Sequence, residues 1–153
     1  HQHDKNAIPL WTYFQNVLNW AISTFNIKKF KIIMKGVDWA LFYDKYHEQP
    51  LDIKAMEDRI SDLIGDDEIQ KPNGIIPYVL TGDERYLDLR TFKDKVKKAI
   101  WEKQNHKCAI CGKEFDFELM EGDHIKPWRE GGRTDIKNCQ MLCRQCNRSK
   151  GCK

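Results

Sequence analysis

The chain has 153 residues, of which 41% are hydrophobic and 32% charged, and its net charge is +3. This length predicts one domain, or a small domain with an extension. It has no apolar run of the roughly 18 residues that a membrane helix needs and no secretory signal sequence, so we expect a cytoplasmic protein with no membrane partner.

Residues 1–92 are predicted to form a helical module without chemistry of its own. Its first helix begins near Pro9, whose fixed φ suits a first helical turn, and apolar side chains then recur at helical spacing. One face of this helix is expected to be core, and its apolar residues are Leu10, Phe14, Val17, Leu18, Ala21, Ile22 and Phe25. A second helix, at residues 35–46, is apolar nearly all round, which predicts central burial.

Three more helices are predicted before the first cysteine. Residues 52–64 carry an apolar face and stop at Gly65, a residue type typical of helix ends. A short helix at residues 75–80 ends at Gly82. A longer helix at residues 93–105 then delivers the chain to the cysteine-containing part.

Four of the six cysteines form two Cys-x-x-Cys pairs. They are Cys108, Cys111, Cys143 and Cys146. One tight turn presents both sulfurs of a pair to the same point, and two such pairs predict a tetrahedral structural zinc site. A single pair would also suit a redox motif or a disulfide, but the doubled motif favours zinc in a reducing compartment. Cys139, in a strand that should be buried, and Cys152, near the end of the chain, are not expected to bind zinc.

The 31 residues between the pairs are enough for a β-hairpin and carry an Asp123-His124 dipeptide. Hydrolysis of a phosphodiester needs a base that activates water and a cation that neutralises charge on the phosphate. We assign the base to His124, because an ordinary imidazole is largely neutral at pH 7 and accepts a proton. A hard divalent ion such as Mg²⁺ or Mn²⁺ prefers oxygen ligands, which Asp123 and Asn147 would supply. Taken alone, His124 suits a structural role and Asn147 a helix start, so the prediction depends on the whole constellation.

Neighbouring residues of a strand point to opposite faces of the sheet. Asp123 and His124 can therefore share a site only if the strand ends or bends there. Pro127 and the Gly131-Gly132 pair predict such a bend.

Further motif residues surround the dipeptide. The segments are Cys108-Ala-Ile-Cys111, Glu121-Gly-Asp-His-Ile-Lys-Pro127, Gly131-Gly132, Asn138 and Leu142-Cys-Arg-Gln-Cys-Asn-Arg-Ser-Lys-Gly151. Over residues 93–153 they closely resemble the HNH endonuclease family, in the variant with asparagine where many members have a final histidine. The resemblance implies a ββα-metal motif, with one strand ending near Asp123, a second at residues 139–142 and a helix from Arg144.

The resemblance also implies residue roles. Asn138 would tie the loop backbone by hydrogen bonds and so orient His124. Water activated by His124 would attack phosphorus, while one cation held by Asp123 and Asn147 would stabilise the leaving 3′ oxygen. The products would carry 5′-phosphate and 3′-hydroxyl ends.

Charge is unevenly divided along the chain. Residues 93–153 contain 15 Lys and Arg against 9 Asp and Glu, whereas residues 1–92 contain 11 against 14. This basic half predicts contact with nucleic acid, and we assign phosphate contacts to Arg148, Lys150, Lys126 and Arg129. For most lysines before the first cysteine, a solvated helix face is the favoured interpretation.

Upstream segments resemble a second group of proteins. The segments are Met34-Lys-Gly-Val-Asp-Trp-Ala-Leu41, Tyr78-Val-Leu-Thr-Gly-Asp-Glu-Arg-Tyr-Leu87 and Arg90-Thr-Phe92. They look like the C-terminal half of prokaryotic restriction-type proteins in which a ParB-like domain precedes an HNH domain. The chain begins at His1 without a methionine, so we expect a fragment whose parent has a further N-terminal domain as partner. Residues 1–3 suit either a tag or native coil.

Together these features predict an α+β chain, with a helical module at residues 1–92 and a zinc-stapled HNH nuclease domain at residues 93–153. The predicted function is metal-dependent DNA cleavage in restriction or anti-phage defence. The alternative is a non-catalytic zinc module that binds nucleic acid or a partner protein, against which the Asp123-His124 pair argues. RNA is a further candidate substrate, because nothing in the motif inspects the sugar.

Overall fold

The computed structural model describes residues 7–151, which contain both α-helices and a small two-stranded antiparallel sheet. This confirms the predicted α+β class. The chain divides into two compact units between Leu89 and Arg90, three residues before the predicted domain boundary. None of the helices in the described part is long and apolar enough to cross a bilayer.

The described part of the N-terminal unit contains five α-helices. They are α1 (Ala7–Thr24), α2 (Ile27–Met34), α3 (Trp39–Tyr46), α4 (Ile53–Ile64) and α5 (Ile75–Thr81). The prediction missed α2, whose start is capped by the Asn26 side chain accepting a hydrogen bond from the Lys29 backbone N–H. It also began α3 too early, because Gly36 has a φ of +78° and the Asp38 side chain caps a helix that starts at Trp39.

Two burial predictions for this unit were wrong. The predicted core face of α1 is split, since Val17, Ala21 and Phe25 are buried, while the other four predicted side chains are exposed. Those four are Leu10, Phe14, Leu18 and Ile22. Helix α3 is not buried all round either: Phe42 and Tyr46 face the core, but Leu41 is 54% exposed. Helical spacing identified these helices, but it did not reveal which apolar side would be covered.

The C-terminal unit consists of α6 (Asp94–Lys103), β1 (Met120–His124), β2 (Cys139–Cys143) and α7 (Arg144–Gly151). The strands pair antiparallel, with Asp123 opposite Gln140 and His124 opposite Cys139. The predicted ββα order of the motif is therefore present.

A compact core holds these elements together. Its buried residues are Phe92, Ile100, Cys108, Met120, Cys139, Met141, Leu142 and Cys143. The side chain of Gln104, just beyond α6, bonds both backbone groups of Met141, donating to its carbonyl at 3.0 Å and accepting from its N–H at 2.9 Å. Helix α6 is thereby fixed to β2, which carries one side of the candidate site.

Candidate metal centre and active site

The four motif cysteines meet at one point. Cys108 and Cys111 lie in a turn after α6, closed by a 2.9 Å hydrogen bond from the Gly112 N–H to the Cys108 carbonyl. Cys143 ends β2 and Cys146 lies in the first turn of α7. All four Sγ atoms lie within 4.8 Å of one another. Zn–S bonds of about 2.3 Å require a thiolate cluster of this size, so the four cysteines can hold a zinc ion.

Thiol acidity differs within the cluster. Burial raises the pKa of Cys108, but hydrogen bonds from the backbone at Cys111, Cys143 and Ile110 outweigh it and bring the pKa to about 6. The pKa of Cys146 is raised to about 12, chiefly by its hydrogen bond with Cys143. Cys108 thus readily forms a thiolate, the form in which cysteine binds metal.

Cys139 does not belong to this cluster. Cys139 is buried in β2, as predicted, and burial together with the nearby charge of Asp123 raises the pKa of its thiol to about 11. Because the Cys139 side chain is buried and its thiol stays protonated at neutral pH, it acts as a packing group. Cys152 lies outside the described residues.

Asp123 binds a cationic group. Its Oδ2 accepts a hydrogen bond of 2.8 Å from the Gln140 side chain and forms a 2.5 Å ion pair with the ammonium of Lys150 in α7. The same ammonium donates to the backbone carbonyl of His124. Two oxygens from the end of β1 therefore converge on a cation. A hard divalent ion prefers oxygen donors of this kind, so the Asp123 side of the predicted metal site fits one.

Asn147, the other predicted cation ligand, is joined to β1 through Glu121. Its side-chain N–H donates to Glu121 Oε2 at 2.6 Å. Glu121 lies two residues before Asp123, so both side chains project from the same face of the strand, towards α7. Because the amide nitrogen is engaged by the carboxylate, the carbonyl oxygen of Asn147 is the atom that can ligate a metal.

His124 is the last residue of β1, and its ring has different neighbours from the Asp123 carboxylate. The ring packs against Phe92 with centroids 4.4 Å apart, and Nε2 lies 2.9 Å from the Thr134 hydroxyl. The two side chains of the dipeptide thus contact different groups, as strand alternation requires.

Asn138 ties the loop between the strands. Its Oδ1 accepts from the Lys126 N–H at 2.8 Å, and its Nδ2 donates to the carbonyls of Lys126 and Arg133 at 3.0 and 2.9 Å. A Cβ on Gly132 would lie 1.8 Å from the Lys126 carbonyl oxygen, so only glycine fits there. These contacts fix the loop that follows His124.

The predicted phosphate-binding residues fall into two groups. Lys126, Arg129 and Arg148 are exposed. Lys150 is instead half-buried and engaged by Asp123. The sequence placed it near the site but did not reveal that it contacts a predicted metal ligand.

Four neighbours of the site were not predicted as functional. They are Phe92, Glu121, Thr134 and Gln140. Gln140 could have been found from the sequence, because pairing the two predicted strands places it opposite Asp123. Phe92 and Thr134 reach His124 from separate segments, and no periodicity in the sequence links them to it.

A β-hairpin followed by a helix, with a four-cysteine cluster that can hold zinc and with an aspartate and a histidine at the end of the first strand, has the architecture of a ββα-metal domain. The HNH endonuclease family model matches residues 108–153, the part of the chain whose motif resembles that family. The domain is also 41% identical over 51 residues to the CRISPR-associated endonuclease Cas9 of Corynebacterium diphtheriae, an alignment that covers 33% of this chain and 5% of that protein. No solved structure matches the chain.

Proposed function

We propose that this chain is a metal-dependent DNA endonuclease that hydrolyses phosphodiester bonds. The observation that carries the proposal is the arrangement at the end of β1. There the Asp123 carboxylate binds the ammonium of Lys150, and the imidazole of the next residue, His124, is held by the Thr134 hydroxyl. The family-model match at residues 108–153 supports a nuclease, and the matched Cas9 is itself named an endonuclease.

Each site residue has a proposed role. His124 takes the proton of the attacking water as general base. Asp123 and the side-chain carbonyl oxygen of Asn147 would hold one Mg²⁺ or Mn²⁺ ion, which would supply positive charge to neutralise the phosphate and the leaving oxygen. Asn138 keeps the loop closed behind His124 through its bonds to Lys126 and Arg133.

Zinc has a separate, structural role in this proposal. The four cysteines join the turn after α6 to the junction of β2 and α7. Binding of zinc would therefore tie the turn after α6 to the end of the hairpin, and this would stabilise the domain because structural zinc contributes folding free energy.

Nucleic acid would bind across the exposed basic residues. Arg148 follows Asn147 in α7, and Lys126 and Arg129 extend from the loop after His124. DNA is the proposed substrate, and RNA remains the alternative.

The biological setting is a proposal from resemblance. The upstream segments support a cytoplasmic restriction or anti-phage protein, in which the helices of residues 1–92 connect the nuclease domain from residue 93 to a ParB-like domain. The second candidate function is a zinc module that only binds DNA or protein. Such a module requires no base beside a metal-binding carboxylate, so the Asp123-His124 pair argues against it.

Supercoiled plasmid tests the function directly. The purified chain should nick or linearise it with Mg²⁺ or Mn²⁺ and fail to do so with EDTA. His124→Ala should lower the cleavage rate about 10²–10⁴-fold with zinc content and DNA affinity nearly unchanged. His47→Ala, in the N-terminal unit, is the matched control and should cut normally. Wild-type binding without cutting under every metal condition would favour the binding-only module.

A further inference from the structure

We propose that Thr134 is a positioning residue that fixes the tautomer of His124, so that Nδ1 is the nitrogen that accepts the proton of water. The inference rests on the proposed function of His124 as a base. It arises from a chain of two hydrogen bonds. His124 Nε2 lies 2.9 Å from Thr134 Oγ1, which in turn donates to the backbone carbonyl of Arg90 at 3.2 Å.

The direction of the two bonds follows from the groups involved. A carbonyl oxygen only accepts, so the Thr134 hydroxyl must be the donor in its bond to Arg90. A hydroxyl has a single hydrogen, and once it is donated only lone pairs face the imidazole. The neutral ring of His124 must therefore carry its proton on Nε2, and Nδ1 keeps the lone pair that a base needs.

The ring has little freedom to leave this arrangement. Phe92 is buried and packs against the imidazole at a centroid distance of 4.4 Å and an interplanar angle of 40°. Rotation that turned Nδ1 towards Thr134 would break the hydrogen bond and disturb this packing. Phe92 and Thr134 together hold the ring of His124, with Nε2 at the Thr134 hydroxyl.

Thr134 is itself held on both sides. The preceding carbonyl, of Arg133, accepts a hydrogen bond from Asn138, and the following Asp135 side chain accepts from the backbone N–H groups of Lys137 and Asn138. Threonine is also restricted at χ1 by its branched Cβ. The loop therefore presents the hydroxyl in a fixed place, and the contact predicted for Asn138 acts on His124 through Thr134.

The test compares Thr134→Val, which keeps the shape but removes the hydroxyl, with Thr134→Ser, which keeps the hydroxyl. The full-length, zinc-loaded chain is labelled with ¹⁵N-histidine, and the His124 ring signals are assigned by their loss in His124→Gln. At about pH 8.5, where an ordinary imidazole is neutral, ¹⁵N shifts report which ring nitrogen carries the proton. Cleavage rate and DNA affinity are measured on the same samples.

In the wild type and in Thr134→Ser, Nε2 should be the protonated nitrogen. In Thr134→Val the tautomers should mix, and the cleavage rate should fall about 10–100-fold, as for other residues that orient a site group, while DNA affinity and zinc content are retained. Thr81→Val, which removes a hydroxyl bonded to a backbone carbonyl in the N-terminal unit, should change neither readout.

A wild-type ring protonated on Nδ1, or a Thr134→Val ring with unchanged ¹⁵N shifts, would overturn the proposal. The ¹⁵N result does not depend on turnover. A chain that shows the Nε2–H tautomer and its dependence on Thr134 but cuts no nucleic acid would therefore refute the nuclease function and leave the positioning of His124 standing.

Discussion

The ammonium of Lys150 lies 2.5 Å from Oδ2 of Asp123, the carboxylate proposed to bind the catalytic cation. Lys150 also donates to the carbonyl oxygen of His124, so it uses two oxygens at the end of β1. A divalent ion that binds Asp123 must compete with this ammonium or share the carboxylate with it. Lys150 is thus a candidate phosphate contact and, if Asp123 binds the proposed ion, a competitor of that ion.

Removing this ammonium should tighten divalent-ion binding. Lys150→Met is expected to strengthen Mn²⁺ binding by up to about fivefold, corresponding to the ~1 kcal/mol that a partly exposed ion pair contributes. Lys103→Met, in the exposed part of α6, removes the same charge away from Asp123 and is the control. Binding is measured by the loss of free Mn²⁺ signal in electron paramagnetic resonance. Equal or weaker Mn²⁺ binding in Lys150→Met than in the control would exclude competition.

Substitutions of two cysteines in β2 can distinguish a role in zinc binding from a role in packing. Cys143 and Cys139 are both buried in β2, at 6% and 4% exposure, but only Cys143 belongs to the four-thiol cluster. Cys143→Ala should lose the single zinc ion and unfold the C-terminal unit, because structural zinc binding is part of the folding free energy. Cys139→Ala should keep one zinc per chain and lose only about 1 kcal/mol of stability. Metal analysis and circular dichroism decide this, and a zinc-free wild type would refute the four-cysteine site.

The four-cysteine cluster was predictable from the sequence because the spacing and chemistry of each pair are local. Two Cys-x-x-Cys pairs can converge only if the segment between them folds back, which is why the cluster followed from spacing. The contacts of His124 did not, since Phe92 and Thr134 approach it from segments 32 residues before and 10 residues after it in the chain. Tertiary contacts of this kind leave no periodic signal.

The N-terminal helices also show that a sequence pattern does not reveal tertiary contacts. Apolar spacing located α1, but Leu10 is 71% exposed although it belongs to the predicted core face. Helix α2 was missed because its start depends on one capping side chain, Asn26, within a run that also contains three lysines. Propensity and periodicity constrain a helix less tightly than metal ligation constrains four cysteines.

Gly132 offers a test of the loop behind His124. A Cβ at this position would lie 1.8 Å from the Lys126 carbonyl oxygen and 2.9 Å from Asn138 Nδ2, so Gly132→Ala should displace the loop and destabilise the C-terminal unit by about 1–3 kcal/mol. Gly65→Ala is the control, because a Cβ there meets nothing within 4 Å. The temperature of zinc release, followed with a chromogenic chelator, reports on the C-terminal unit alone. Equal release temperatures for the two variants would contradict the assigned loop geometry.

The start of the C-terminal unit decides whether His124 keeps its partners. A shortened chain beginning at Lys93 contains all four zinc-binding cysteines and every motif residue, yet it lacks Phe92, which packs on the imidazole, and Arg90, whose carbonyl accepts from Thr134. A chain beginning at Leu89 retains both. Each should fold with one zinc ion, since the four thiols are present in both.

Plasmid nicking at low salt should therefore separate the two shortened chains. Low salt is needed because so small a module makes few phosphate contacts and its DNA affinity should fall steeply with ionic strength. We expect the chain from Lys93 to cut about 10–100-fold more slowly than the chain from Leu89 at equal zinc content, because the imidazole has lost two groups that orient it. Phe92→Ala in the full-length chain should reproduce part of this loss. Equal rates would show that neither group orients His124, whereas two zinc-loaded but inert chains would mean that residues before Leu89 contribute to the active site.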